Sequence, residues 1–328
     1  MSSVAVIGAG AWGTALAIQA ARAGNAVTLW ARDPALAEAI VASRENLRLP
    51  GIRLPEPILV TSAMPDAADA VLLAVPTQHL RGVLERLPIG LAPLVVCAKG
   101  VEQMTLRLPL EVAGDVRPGT PSAILTGPNF AHEIAAGLPA AGVVAASDAG
   151  LRTSIAALLG TPSFRLYGND DPIGAQVGGA AKNVIAIAAG AVTGAGLGEN
   201  ARAALITRGL AELSRLAVAL GGRAETVMGL SGLGDLLLTC TGPASRNYSL
   251  GLALGRGEQL ADVLAARSAV TEGVTTAPAL VARAAAPGST PGASVDLPIC
   301  AAVASLLAGH TSLAEAITAL LARPRRDE

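Results

Sequence analysis

Aromatic side chains are almost missing from this chain: two Phe, two Trp and two Tyr, 2% of 328 residues. Its hydrophobic content of 52% and mean hydropathy of +0.52 therefore owe much to alanine, and they do not by themselves signal a membrane protein. Long unbroken apolar runs are also missing. The uncharged stretches 183–198 and 297–314 are interrupted by glycine, threonine, proline or histidine. A spanning helix needs about 20 mostly apolar residues, so neither is read as one. Cysteine is scarce as well. Cys97, Cys240 and Cys300 are odd in number and lack metal-ligand spacing, which excludes a disulfide scaffold and a cysteine-built metal site, and fits a reducing compartment. A net charge of −1 offers no polyanion-binding surface, so nucleic acid is not an expected partner. The start, Met1-Ser-Ser-Val-Ala-Val6, reads directly into a strand and leaves no room for a signal peptide, so a cytoplasmic protein is expected.

Lysine is the scarcest charge. Of 24 basic residues all are arginine except Lys99 and Lys182. Arginine keeps its proton in a protein, whereas a buried lysine can titrate and serve as acid or base. Lys182 stands in the apolar run 180–189, where it shares a helical face with Ile185, Ala186 and Ala189. A cation there either snorkels to solvent or meets a polar partner.

The first half alternates strand and helix. Val4-Ala-Val-Ile-Gly8 reads as a short buried strand, and Gly8-Ala-Gly-Ala-Trp-Gly13 as a glycine fingerprint. An alanine-rich helix over 14–22 and a second strand, Ala26-Val-Thr-Leu-Trp30, follow. Gly8, Gly10 and Gly13 in that frame predict a dinucleotide site, with the pyrophosphate at the helix N-terminus. After the second strand comes Trp30-Ala-Arg-Asp33. Arg32 can face a 2′-phosphate, and Asp33 can serve as the N-cap of a helix from Pro34, which leaves NAD or NADP open with a lean to NADP. Further strands are read at 58–61, 69–76, 94–98, 123–126, 141–146 and 164–167. Lys99 lies just past the carboxyl end of one of them, where open α/β sheets bind ligands.

From Pro172 onward the periodicity is helical, with long helices over 172–189 and 200–220. In the second, Leu205, Leu213, Leu216 and Leu220 are expected to face inward. Three polar clusters interrupt the helices: a glycine-rich turn, Gly229 to Asp235; Ser245-Arg-Asn247; and Thr271-Glu-Gly-Val-Thr-Thr276. The stretch 284–295 reads as a surface loop. The fold expected is an α/β Rossmann-like dinucleotide-binding domain over 1–171 and an all-α substrate and catalytic domain over 172–328.

Taken together these motifs resemble the bacterial-type NAD(P)-dependent glycerol-3-phosphate dehydrogenases, to about residue 320. The similarity lies in Gly8–Ala17, Trp30–Asp33, Ala98-Lys-Gly100, Gly127-Pro-Asn-Phe-Ala131, Ala181-Lys-Asn-Val184, 200–211, 229–236, Ser245–Asn247 and Glu272-Gly273. It implies interconversion of sn-glycerol 3-phosphate and dihydroxyacetone phosphate, supply of phospholipid backbone, and a homodimer. It also implies that Lys182 is the catalytic acid and base. Substrate contacts fall on Lys99, Gly127, Asn129, Lys182, Asp235, Ser245, Arg246 and Asn247. Cofactor contacts fall on Ala11, Trp12, Arg32, Lys99, Ala131, Arg246, Val270 and Glu272, beside the glycines, and no metal is implied. Ala11 and Asn129 stand where the family often has serine, and Thr77 follows Val75-Pro76 as a further variation.

Two other readings share parts of this pattern. A β-hydroxyacid dehydrogenase of the 6-phosphogluconate type also pairs a Rossmann domain with a helical one carrying Lys-Asn, but lacks a reason for the 229–235 and 245–247 clusters. A non-catalytic dinucleotide sensor would need the glycines but not Lys182, Asp235 and Arg246 together.

Overall fold

A computed structural model describes residues 1–88, 90, 92–267, 271–285 and 294–324. The chain forms two compact units: Met1–Lys99 with Leu108–Gln176, and Gly100–Arg107 with Val177–Glu328.

The first unit is built on eight strands: β1 (Ser3–Ile7), β2 (Ala26–Trp30), β3 (Ile58–Thr61), β4 (Ala70–Leu73), β5 (Leu94–Val96), β6 (Ser122–Thr126), β7 (Ala140–Ala145) and β8 (Phe164–Asn169). Apart from β8, they are mostly Val/Ala/Leu/Ile runs too short for helices, and the central ones are buried on both faces, as parallel sheets covered by helices require. The order is β3-β2-β1-β4-β5-β6-β7-β8. Every neighbouring pair is parallel except β6 and β7, a reversal that periodicity alone does not reveal. After β1 the chain proceeds outward through β2 and β3, then returns to β1's other side as β4. The sheet's switch point is therefore at the carboxyl end of β1, where open α/β sheets take ligands.

Six helices connect these strands: α1 (Ala11–Arg22), α2 (Pro34–Ser43), α3 (Thr77–Arg86), α4 (Pro109–Val116), α5 (Ala131–Ala136) and α6 (Ala149–Leu159). Helix α1 begins at Ala11, three residues earlier than the alanine run predicts, because Gly10 occupies its N-cap. Asp33 caps α2, accepting from the Ala35 N–H at 3.0 Å, with Pro34 as the first helical residue. Helix α4 lacks a clear sequence signal.

Helix α7 (Pro172–Gly194) leads into the second unit. Asp171 accepts from the Gly174 N–H at 2.9 Å, an N-cap that fixes where α7 starts. By length and composition α7 could cross a membrane, but 89% of its most apolar window is buried inside the protein. Val184, Ile185, Ala186 and Ile187 are all fully buried, so the helix is enclosed on every side rather than on the single face expected around Lys182. Around it lie α8 (Gly198–Ala219), α9 (Ala224–Val227), α10 (Asp235–Cys240), α11 (Arg246–Gly255), α12 (Leu260–Ala265), α13 (Glu272–Ala285), α14 (Pro298–Leu307) and α15 (Leu313–Leu321).

With few aromatic rings to fill gaps, α7 and α11 meet nearly backbone to backbone. A Cβ on Gly251 would stand 1.9 Å from the Ile187 carbonyl oxygen, and one on Gly190 2.0 Å from that of Tyr248. In α8 the buried residues are Ile206, Gly209, Glu212, Leu213, Leu216 and Ala217. Leu205 and Leu220 are only partly covered, so the buried face is rotated from the one the leucines alone describe. No strand occurs in this unit among the described residues, and most of the 284–295 loop lies outside them.

Candidate active site

In the first unit predicted cofactor and substrate residues gather at the carboxyl edge of the sheet. Gly8 follows β1, Arg32 follows β2, Lys99 follows β5 and Gly127 follows β6. Gly13 is required by close passage: a Cβ there would stand 1.8 Å from the Gly8 carbonyl oxygen. Around Gly10, by contrast, a Cβ would meet nothing within 4 Å. The N-terminus of α1, where Ala11 and Trp12 lie, has no side-chain cap and no acidic residue in its first turn. Open space, unpaired N–H groups and the positive end of a helix fit a pyrophosphate.

Orphan polar atoms at the same edge also fit a bound ligand. The Thr77 and Thr126 hydroxyls and the Asn129 amide oxygen are buried without hydrogen-bond partners among the described residues. Leaving such groups unpaired is costly, and a ligand at this edge would relieve it. Lys99 Nζ donates to the Gly127 carbonyl at 3.3 Å, which brings together two of the predicted substrate contacts. Ala131 opens α5. Arg32 is exposed and has no ion pair among the described residues.

In the second unit Lys182 and Asp235 form a buried ion pair, the lysine 8% exposed and the aspartate 0%. Lys182 therefore does not snorkel. Its Nζ also donates to Thr239 Oγ1 at 3.0 Å, and that hydroxyl donates to the Asp235 carbonyl at 2.6 Å. The segment read as a glycine-rich turn is a π-helical turn, Leu230–Gly234, running straight into α10 with Asp235 as its first residue. Wide turns of this kind re-aim a helix, and here the turn also passes close to α7. A Cβ on Gly178 would stand 2.6 Å from the Ser231 carbonyl oxygen.

The other two polar clusters converge on the residue after Lys182. Asn247 Nδ2 donates to Asn183 Oδ1 at 2.9 Å, and Asn247 Oδ1 accepts from the Gly273 N–H at 3.0 Å. Ser245 is the N-cap of α11, accepting from the Tyr248 N–H at 3.2 Å. Arg246, the first helical residue, is exposed and has no carboxylate partner among the described residues. Arg267 donates to the Arg246 carbonyl at 2.7 Å; burial, then the Arg246 charge, pull its pKa down. Glu272 opens α13, and Val270 lies outside the described residues.

Burial pushes the Cys97 and Cys240 thiols up to about 12, so neither is a nucleophile at neutral pH. No cluster of metal-ligating side chains occurs among the described residues. Composition and motif spacing miss Thr239, and they give Asn183, which stands in the Ala181-Lys-Asn-Val184 motif, no role of its own. The i, i+4 step from Asp235 to Thr239 on a helix was the available signal for the first.

A doubly wound sheet with a glycine fingerprint, joined to helices that bury a lysine–carboxylate pair, defines a dinucleotide-dependent oxidoreductase. Family models described as NAD-dependent glycerol-3-phosphate dehydrogenase N-terminus and C-terminus match residues 3–151 and 171–318. The chain belongs to the bacterial-type NAD(P)-dependent glycerol-3-phosphate dehydrogenase family. It is 57% identical to the glycerol-3-phosphate dehydrogenase [NAD(P)+] of Acidiphilium cryptum, over 99% of this chain and 98% of that one. It is 53% identical to the enzyme of the same description from Gluconobacter oxydans, over 98% and 97%. A crystal structure of glycerol-3-phosphate dehydrogenase from Coxiella burnetii superposes with a TM-score of 0.93 at 35% identity, covering 98% of this chain and 99% of that one. These matches settle the choice against the β-hydroxyacid and sensor readings.

Proposed function

We propose that Lys182 is the proton carrier of this enzyme, which interconverts sn-glycerol 3-phosphate and dihydroxyacetone phosphate with NAD(P)(H). The observation that carries this role is the buried Lys182–Asp235 pair, with Thr239 on the same ammonium. The bound nicotinamide supplies or accepts the hydride. As the ketone is reduced, negative charge grows on its oxygen, and a protonated lysine both stabilises that charge and delivers the proton. In oxidation the neutral amine takes the proton from the C2 hydroxyl. Asp235 and Thr239 hold the amine in one place, which limits the reorientation needed at the moment of transfer.

Arg246, with Ser245 and Asn247 at the N-terminus of α11, holds the substrate phosphate, since a guanidinium matches phosphate oxygens in a bidentate fork. Lys99, Gly127 and Asn129 contribute the remaining substrate contacts. The coenzyme is held by the Gly8–Gly13 turn, Arg32, Lys99, Ala131, Arg246, Val270 and Glu272. NADP(H) is the favoured form. Asp33 is engaged as the cap of α2, and the exposed Arg32 beside it is suited to a 2′-phosphate. The enzyme works in the cytoplasm as a homodimer without a nucleic-acid partner and feeds glycerophospholipid synthesis. The family resemblance supports the dimer and the pathway; three buried unpaired cysteines and the charge balance support the rest.

Mixing the purified protein with dihydroxyacetone phosphate and NADPH, then with NADH, and following loss of nicotinamide absorbance tests this directly. Turnover with a β-hydroxyacid but not with dihydroxyacetone phosphate would refute the reading.

A further inference from the structure

Asn46 lies between α2 and β3, is 0% exposed, and has no part in the chemistry above. One of its amide N–H groups donates to the Ala9 carbonyl at 3.1 Å, inside the glycine turn. The other donates to Thr14 Oγ1 at 2.7 Å, in α1. Its side-chain oxygen accepts from the Arg48 N–H at 3.0 Å. A buried amide used this fully is fixed in both position and orientation.

We propose that Asn46 is a positioning residue that sets the polarity of the Ala9–Gly10 peptide. The C=O and N–H of a trans peptide point to opposite sides of the chain. With the Ala9 carbonyl bound to Asn46, the Gly10 N–H is turned the other way. The Gly10 carbonyl is tied in turn by the Thr14 N–H at 2.9 Å, and Thr14 is the second residue Asn46 grips. If the peptide flipped, a carbonyl oxygen would take the place of an N–H donor on the side from which an anion approaches. Little else resists that flip. Gly10 stands at φ −77°, a Cβ there would meet nothing within 4 Å, and glycine accepts φ of either sign. Asn46 therefore holds the donor-outward turn before any ligand arrives, a preorganisation that strengthens binding without touching the ligand.

The inference rests on the reading that this turn takes the pyrophosphate of the coenzyme. Because NADH and NADPH share that group, the loss must fall on both alike. Asn46→Asp keeps the size but replaces the nitrogen that donates to both Ala9 and Thr14 with an oxygen. Dissociation constants for NADH and NADPH, read by nicotinamide fluorescence, are expected to rise roughly 10–100-fold by the same factor. The KM for dihydroxyacetone phosphate at saturating coenzyme should move less than about threefold. If the wild type binds neither coenzyme, the reading of the turn fails and the inference falls with it. If the wild type binds both and the folded variant binds them as tightly, only the inference is wrong. A loss confined to NADPH also overturns it, placing the effect at the adenosine end through Arg48. Should Asn46→Asp not fold, Thr14→Val decides: it removes one acceptor and keeps the shape. A weaker loss shared by both coenzymes supports the proposal, and unchanged binding refutes it.

Discussion

The Thr239 hydroxyl stands 3.0 Å from Lys182 Nζ, accepting from the ammonium while donating to the Asp235 carbonyl one turn earlier. Thr239→Val preserves volume and leaves that ammonium N–H without this acceptor. An unsatisfied buried donor costs about 1–3 kcal/mol, so kcat should fall roughly tenfold, and Thr239→Ser should recover most of it. Unchanged turnover in the valine variant would mean that the hydroxyl serves only the helix backbone.

Lys182→Arg keeps the charge but cannot cycle a proton. General acid–base groups contribute about 10²–10⁴-fold, and a loss of that size in kcat is expected while coenzyme binding persists. Near-normal turnover would leave Lys182 with a purely electrostatic role.

Arg246→Ala should raise the KM for dihydroxyacetone phosphate and also lower kcat, because holding the phosphate positions the carbonyl. Arg246→Lys should restore only part, lacking the planar fork. With dihydroxyacetone, which has no phosphate, the alanine variant should do little worse than wild type. An equal fold-loss on both substrates would reassign Arg246 to the coenzyme or the fold.

Arg32→Ala should weaken NADPH selectively, by roughly 1.5–3 kcal/mol if a charge-assisted contact to the 2′-phosphate is lost. Binding titrations with NADPH and NADH separate this from stacking on the adenine, which would affect both.

Glu212 is buried on α8 and caps α14, accepting from the Ile299 N–H at 2.6 Å and the Cys300 N–H at 3.1 Å. Burial raises its pKa above the usual 4.5, outweighing those two donors. A raised folded-state pKa means its contribution to stability is fully present below the unfolded value, near pH 4.5, and is lost as pH rises through the folded value. Glu212→Gln removes this titration. The Tm difference, variant minus wild type, should therefore grow more positive from pH 4 to pH 8; a flat difference would show that the carboxylate titrates normally.

The strand–glycine–helix–strand frame was legible because its signals are local. Glycine at 8, 10 and 13, a buried run before them and a proline-started helix after Asp33 all act within a few residues. Lysine's rarity likewise singled out Lys99 and Lys182 without any structure. Elsewhere a local pattern competed with packing, and packing prevailed. The glycines at 229–234 signal flexibility in isolation, yet they form a tightly packed π-helical turn: a Cβ on Gly232 would stand 1.9 Å from the Val227 carbonyl oxygen, and one on Gly178 of α7 2.6 Å from that of Ser231. Leu205 and Leu220 fit a leucine stripe, but the small surface of Gly209, with Ile206 and Glu212, determines which face of α8 is covered.

By itself, the order of residues determined the chemical inventory: two lysines in a chain whose other basic residues are arginine, and a glycine turn in the frame of a dinucleotide site. Tertiary structure alone decided how those groups are held. Lys182 and Asp235 lie 53 positions apart, and no local pattern between them signals their pairing, because a buried ion pair depends on the path of the helices between them. The same holds for Asn247, which joins Asn183 to Gly273, and for Asn46, whose grip on Ala9 and Thr14 reaches back across β2 and α2. Periodicity reports which face of an element is apolar; it cannot report which polar atom that face will meet.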